Sequence, residues 1–337
     1  MNVEANAALV ETRSSGVGAV VETQRIVELP LNGRQVADLV TLNGGAVQTG
    51  TTDTRIFSGR PMISIAGMAS LPLGGGQVDW VLDGTSHWDF MSGTTMPIAF
   101  PDAVQEFKAE SSGQTAQRGR AAAVSVVTKS GGNQFRGSLF EYVRSDRLDA
   151  PNYFDATRNL DGSVQTRLPK SALKQNQFGG SLGGPIAKDR AFFFASYEGY
   201  RLDAGSNFIE AIPSDRAWAR AVPAVAGLRK GFLAPGAVIL PGASANPDFD
   251  IAQLQTAQRV TENAFSTRLD FKVNANWSSY FRAFHDSGTN REPQGVTGRV
   301  FRTTARPTNA VFNLQGLLGV NATNEFKFGY NAAKTTS

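Results

Sequence analysis

The segment FSTRLDFKV (265–273) alternates without a fault: Phe265, Thr267, Leu269, Phe271 and Val273 fall on one face of an extended chain, and Ser266, Arg268, Asp270 and Lys272 on the other. EFKFGYNA (325–332) repeats the pattern with Phe326, Phe328, Tyr330 and Ala332 on one face. In NAVFNLQGLLGV (309–320), Phe312, Leu314, Gly316, Leu318 and Val320 share a face. KQNQFGGSLGGPI (174–186) and RAFFFASYEGYRL (190–202) are separated only by Ala187, Lys188 and Asp189, which predicts a hairpin. The full reading from residue 133 onward is seven long strands, at 134–144, 174–186, 190–202, 264–275, 277–288, 309–320 and 323–333. Three long connections are predicted, near 146–172, 203–262 and 289–308. The Pro- and Ala-rich part of the second, 212–250, is too irregular for a strand.

Before residue 130 the pattern is different. In LPLNGRQVADLVTLNGG (29–45) the spacing of Val36, Leu39, Val40 and Leu42 predicts one short amphipathic helix, stopped by Asn43-Gly44-Gly45. Short strands bounded by Gly, Pro, Ser or Asn follow at 63–67, 77–84, 103–111 and 121–130. Together these predict a small α+β domain over 25–130, preceded by a flexible lead-in at 1–24. Lys129-Ser130-Gly131-Gly132-Asn133 is the turn joining the two kinds of structure, with Lys129, Gly131 and Gly132 as the hinge.

Composition sharpens the choice between a soluble sandwich and a membrane barrel. Strands of about 9–11 residues with one apolar face, short turns alternating with long connections, and 22 Phe favour a transmembrane β-barrel. The fold class is therefore read as mainly β: a small α+β domain followed by antiparallel transmembrane β-barrel strands of an incomplete barrel, since seven strands do not close one. No apolar run approaches the roughly 20 residues of a spanning helix. The absence of cysteine excludes disulfides, thiolate metal sites and cysteine nucleophiles. A formal charge of +4 with scattered Lys and Arg lacks a nucleic-acid footprint. MNVEANAALVETRSS carries neither the basic nor the apolar region of an export signal, so a leader and further strands are expected outside the chain given.

Five segments occur in an order that resembles the TonB-dependent outer-membrane receptors, and more narrowly their Oar-like group. They are ELPLNGRQVADLVTLNGG (28–45), VLDGT (81–85), VQEFKAESSGQTAQRGR (104–120), VVTKSGGNQFRGSLFEYVRSDRLDAPNYF (126–154) and LKQNQFGGSLGGPIAKDRAFFFASYEGYR (173–201). The resemblance implies that the α+β domain is a plug filling a barrel in the outer membrane of a Gram-negative bacterium. It also implies a receptor that takes a ligand at the outer face and moves it with energy from a TonB-type complex. A non-transporting adhesion or structural barrel is the alternative. Outer-membrane lipid, a TonB-type complex and an unidentified ligand are the partners implied; no nucleic acid, cofactor or enzymatic activity is.

Asp83-Gly84 reads as a tight turn, because Gly supplies a positive φ and Asp caps its own turn. The loop SHWDFMSGTTMP (86–97) gathers His87, Trp88, Asp89 and Phe90 and is the tentative ligand-facing loop, with packing against the barrel wall as the competing reading. His87 and His285 are the only histidines, and nothing spaces carboxylates around them for a metal. Arg136, Arg144 and Arg147 are candidates to line the lumen and meet plug carboxylates such as Asp102 or Glu106, with plain solvation as the equal alternative. No Ser/His/Asp or paired-carboxylate set is present for a barrel hydrolase.

Overall fold

The computed structural model describes residues 18–337 apart from 30, 32–33, 43–44, 49–62, 66, 68–77, 90–93, 99, 113–119, 121, 152, 154–155, 159–160, 168–169, 241–243 and 320. Its first part runs β1 (Gly18–Glu22), α1 (Thr23–Glu28), a 3-10 turn (Val36–Leu42), β2 (Ala46–Gln48), β3 (Ile63–Ile65), β4 (Val78–Leu82), β5 (Thr85–Ser86), β6 (Trp88–Asp89), β7 (Thr94–Thr95), β8 (Val104–Glu110) and β9 (Ala122–Thr128). The main sheet has the order β1-β8-β9-β4-β5, with only the β4–β9 pair parallel. Small residues suit the central strand. In β9, Ala122, Ala123, Val124 and Val126 are all buried, so both faces are covered. Ile26, Leu39, Val40, Ile65, Trp80 and Phe107 fill the core beside it.

Two expectations are corrected here. Residues 18–22, read as flexible lead-in, form an edge strand whose register with β8 runs from Gly18↔Glu110 to Glu22↔Glu106. The predicted helix over 29–45 is a 3-10 turn at 36–42, and the α-helix lies earlier, at 23–28. Both were hidden for one reason: GAVVE and TQRIVE are too short to show a period, and pairing with β8 and burial of Ile26 supply what local sequence lacks.

The second part runs β10 (Arg136–Ser145), β11 (Ala156–Arg158), β12 (Val164–Arg167), β13 (Leu173–Ala187), β14 (Ala191–Pro213), α2 (Asp215–Ala219), α3 (Pro223–Ala226), β15 (Val238–Leu240), β16 (Phe249–Lys272), β17 (Trp277–Gln294), β18 (Arg299–Ala305), β19 (Thr308–Leu318), β20 (Ala322–Ala332) and β21 (Thr335–Thr336). All seven predicted long strands are present, as β10, β13, β14, β16, β17, β19 and β20, joined antiparallel into one unclosed wall. β18 and β19 pair with successive parts of β17, so they form one wall strand interrupted at Arg306-Pro307.

The long connections are shorter than expected. β14 and β16 stay paired from Ala191↔Phe271 to Pro213↔Phe249, so strand occupies both ends of the segment read as an irregular insertion. Likewise 289–308 is mostly the β17–β18 hairpin, and 146–172 contains the β11–β12 pair. A 23-residue strand is about 75 Å long. That is well beyond the ~25 Å of an apolar band, so the outer half stands in water, where no alternation is demanded of it.

Along the wall the usual arrangement of a soluble protein is inverted. Phe281, Phe312, Phe326 and Phe328 are 39–63% exposed on the convex face, whereas Arg282 and Asn309 are 0% exposed on the concave one. Water would reverse that distribution; lipid outside and a domain inside explain it. Phe281 and Phe312 face each other across β17 and β19. Phe281→Arg is expected to destabilise the folded barrel by about 2–4 kcal/mol if this pair lies near the bilayer midplane. Urea titration of the full-length protein in lipid vesicles checks it, and a neutral result would contradict a lipid-facing position.

Candidate functional site: the junction of plug and wall

The α+β domain packs against the concave face of the wall, and its core is continuous with Phe194, Ala264 and Phe284 of β14, β16 and β17. The contact is organised around the β4–β5 hairpin. Asp83 (φ 49°) and Gly84 (φ 78°) are its two loop residues, both left-handed, as a two-residue hairpin of this twist requires. That conformation aims the Asp83 carboxylate back into the domain. Oδ1 accepts from the Thr128 backbone N–H at 2.8 Å and Oδ2 from the Thr128 hydroxyl at 2.9 Å.

The wall grips the same carboxylate. Arg282 Nε of β17 donates to Asp83 Oδ2 at 2.9 Å, and Arg268 Nη1 of β16 lies 3.4 Å from Oδ1. Arg282 Nη2 donates to the Leu82 carbonyl at 3.0 Å, Arg268 Nη1 to the Thr128 carbonyl at 3.1 Å, and the Tyr280 hydroxyl to the Asp83 carbonyl at 2.8 Å. Asn309 of β19 accepts from Arg282 and donates to the Ser86 carbonyl at 3.0 Å. Arg282 is wholly enclosed and the Asp83 side chain is 1% exposed, so each charge depends on the other for its solvation. From sequence Asp83-Gly84 was a turn only. The signal that pointed further was the placement of Arg268 on the polar face of the alternating strand.

A second clasp has the opposite polarity. Arg34, in the left-handed region at φ 57°, extends from the domain between the rings of Phe140 and Tyr142, 4.5 and 4.8 Å from their centroids. It donates to the Tyr142 hydroxyl at 3.1 Å, pairs with Asp102, and lies 3.9 Å from buried Glu198. Asp102 also accepts from Ser138 of β10 at 3.1 Å. The wall arginines expected to reach Asp102 or Glu106 do not. Arg136 donates to Gln134, Arg144 pairs with Asp149, and Arg147 is exposed in the turn after β10.

The connection at 129–133, read from sequence as a hinge, makes the third contact. The Lys129 N–H donates to the Ala103 carbonyl at 2.8 Å, which holds the end of β9 to the domain. Two residues later Gly131 lies against the wall, where an added Cβ would sit 2.2 Å from the Phe193 carbonyl oxygen and 2.8 Å from that of Gly184. Gly132 faces open space. Asn133 then exchanges two hydrogen bonds with Asp189 in the β13–β14 turn.

The loop read as ligand-facing is placed otherwise for two of its residues. His87 is 1% exposed, edge-on to Phe284 with ring centroids 5.8 Å apart, and its Nε2 meets the Pro97 carbonyl at 2.7 Å. Asp89 is buried as well, and the half-buried Trp88 ring is covered by Arg120 at 3.7 Å. Packing against the wall outweighs solvent exposure here because the short β6–β7 pair draws the loop inward. Phe90 lies outside the described residues. His285 is on the opposite face of β17, its Nδ1 bonded to the Thr308 hydroxyl at 2.8 Å, so the two histidines do not converge.

Burial pushes the His87 imidazole down to about 3, with the Pro97 contact opposing and the Arg282 charge adding. The folded form therefore stays neutral where the unfolded chain, near 6.5, takes up a proton. Stability from this group is complete above 6.5 and falls by about 1.4 kcal/mol per pH unit from there toward 3. His87→Gln is expected to remove that slope. Amide exchange of β8 and β9, corrected for intrinsic rates between pH 4.5 and 7, checks the difference between the two proteins.

A plug-like domain seated in the polar concavity of an outwardly apolar wall defines a plugged outer-membrane β-barrel. Comparisons agree with this class. Residues 127–227 match a family model described as an outer membrane beta barrel domain. Over 122 residues, 35% of this chain and 11% of the relative, the sequence is 32% identical to the TonB-dependent transporter Oar of Myxococcus xanthus. Among solved structures, the outer membrane transporter YddB of Escherichia coli is similar with a TM-score of 0.60 at 11% identity, over 93% of this chain and 38% of that one. The ferric enterobactin receptor PfeA of Pseudomonas aeruginosa gives 0.58 at 13% identity, over 96% and 41%. The chain thus resembles the TonB-dependent outer-membrane receptors in fold and Oar in sequence, spanning about a tenth of Oar and two fifths of the solved receptors. It is an outer-membrane protein.

Proposed function

We propose that the protein is an outer-membrane transport receptor: a ligand binds at the outer face, and energy delivered by TonB displaces the plug and moves the ligand through the barrel. The observation that supports this reading best is the character of the plug–wall junction. Wall side chains meet a discrete domain there, through ion pairs and hydrogen bonds around Asp83 and Arg34 beside an apolar contact with Phe194, Ala264 and Phe284. A lumen filled for structural reasons alone needs only side chains from its own strands. A separate domain, held by clasps and tethered at 129–133, is an obstruction that a pull on the N-terminal segment can shift. No step makes or breaks a covalent bond, so the reading requires no catalytic group.

The test uses the full-length protein in planar bilayers and the periplasmic domain of a TonB protein. Intact receptor is expected to hold the membrane closed, and deletion of residues 18–130 to leave a large, steady conductance. The TonB domain is expected to co-purify with intact receptor. Equal conductance with and without the plug, together with no TonB association, would overturn the proposal in favour of a non-transporting barrel.

A further inference from the structure

A cavity of about 800 Å³ lies between the plug and the wall, beside the hinge and at the end of the barrel where residues 188–190 join β13 to β14. Two cations, Lys129 and Arg136, line it, with Ser138, Ser181 and Gln105 around them. Its one lining carboxylate is Asp102, and both Asp102 oxygens are already engaged, one by Arg34 and one by Ser138. Among the described residues the Lys129 ammonium has no hydrogen bond or ion pair, and the Arg136 guanidinium meets only the neutral Gln134 side chain. Burial lowers the Lys129 amine from its ordinary value, with the Asp102 charge opposing, so its lost hydration is only partly replaced.

Two cations sharing a recess with one spent carboxylate, Lys129 half-buried and Arg136 exposed at its edge, leave positive charge uncompensated there. An anion carrying several oxygens supplies what is missing: charge for Lys129 and Arg136, and an acceptor for the Gln105 amide, the Ser138 and Ser181 hydroxyls being already bonded to Asp102 and to each other. Short turns mark this end as the periplasmic side of the barrel. We infer that the cavity is an exit station for oxyanionic cargo, a solute bearing phosphate or carboxylate groups, which it holds between plug and wall before release. The inference rests on the transport reading and narrows its substrate class.

Lys129 reports on its own occupancy. Reductive methylation with formaldehyde and cyanoborohydride, followed by peptide mass spectrometry, reads its reactivity in the full-length protein. Pyrophosphate and citrate are the probes, with sodium chloride matched for ionic strength. Protection of Lys129 by at least fivefold at millimolar probe, with Lys174 and Lys188 unaffected, is expected. Protection by pyrophosphate alone assigns phosphate groups, and by citrate as well assigns oxyanions in general. Arg136→Gln is expected to shift half-protection to at least fivefold higher probe. Equal protection by chloride, or none by either probe, overturns the inference. Failure here leaves plug-dependent closure and TonB association untouched, so it is distinguishable from failure of the transport reading.

Discussion

Asp83→Asn is expected to loosen the plug by about 3–5 kcal/mol, because it strands a buried guanidinium without its counter-charge. Asparagine tolerates the left-handed conformation that position 83 adopts at φ 49°, so the hairpin itself is spared and the loss isolates the charge. Arg282 has no water to turn to, being wholly enclosed, and Arg268 keeps Asp270 as a second partner at 2.9 Å. Most of the effect therefore comes from Arg282. Amide exchange in β4 and β9 of the full-length protein should accelerate by roughly a hundredfold to a few thousandfold, as that energy range implies. Cells should become permeable to a large hydrophilic antibiotic. Combining Asp83→Asn with Arg282→Met should recover much of the loss, since removing both buried charges is far cheaper than removing one. Unchanged exchange in the single variant would show that the clasp carries no net energy.

Gly131→Ala should be damaging as well, to a smaller extent, and Gly132→Ala close to silent. At 131 the new methyl would stand 2.2 Å from a backbone carbonyl oxygen of β14, and backbone cannot swing aside as a flexible side chain can. Either the hinge lifts off the wall, breaking the Asn133–Asp189 pair of bonds, or β13 and β14 part. Overpacking of this kind costs about 1–3 kcal/mol or more. At 132 nothing lies within 4 Å, and neither glycine has the positive φ that would penalise any side chain. Surface yield of the two variants, with protease accessibility at 129–133, separates them. Equal yields would mean that the hinge accommodates a methyl by a movement the packing at Gly131 does not suggest.

How much was legible follows from the physics of each signal. The wall strands were visible because a strand between lipid and a polar interior must alternate, and that constraint is written locally in residues such as Phe265, Arg268 and Phe271. The outer halves of β14 and β16 were not visible, because in water neither face is constrained and their order comes from pairing with each other. β1 and α1 were missed for want of length. His87 was ambiguous in sequence, since an aromatic, partly polar loop suits a ligand or a wall equally; its packing against Phe284 decides the matter.

The chain by itself thus determined which wall side chains share the outward face and which the inward one, and that Asp83-Gly84 turns tightly. Period-2 alternation and turn stereochemistry are local properties, readable a few residues at a time. Only the tertiary structure decided which inward groups meet. Asp83 and Arg282 are 199 residues apart, and Arg34 reaches Tyr142 across 108. Alternation says that Arg268, Arg282 and Arg136 all have polar surroundings, but their depth along the wall and the register of each strand choose among the carboxylates. That choice gives Arg282 a buried partner and leaves Arg136 and Lys129 beside an open cavity.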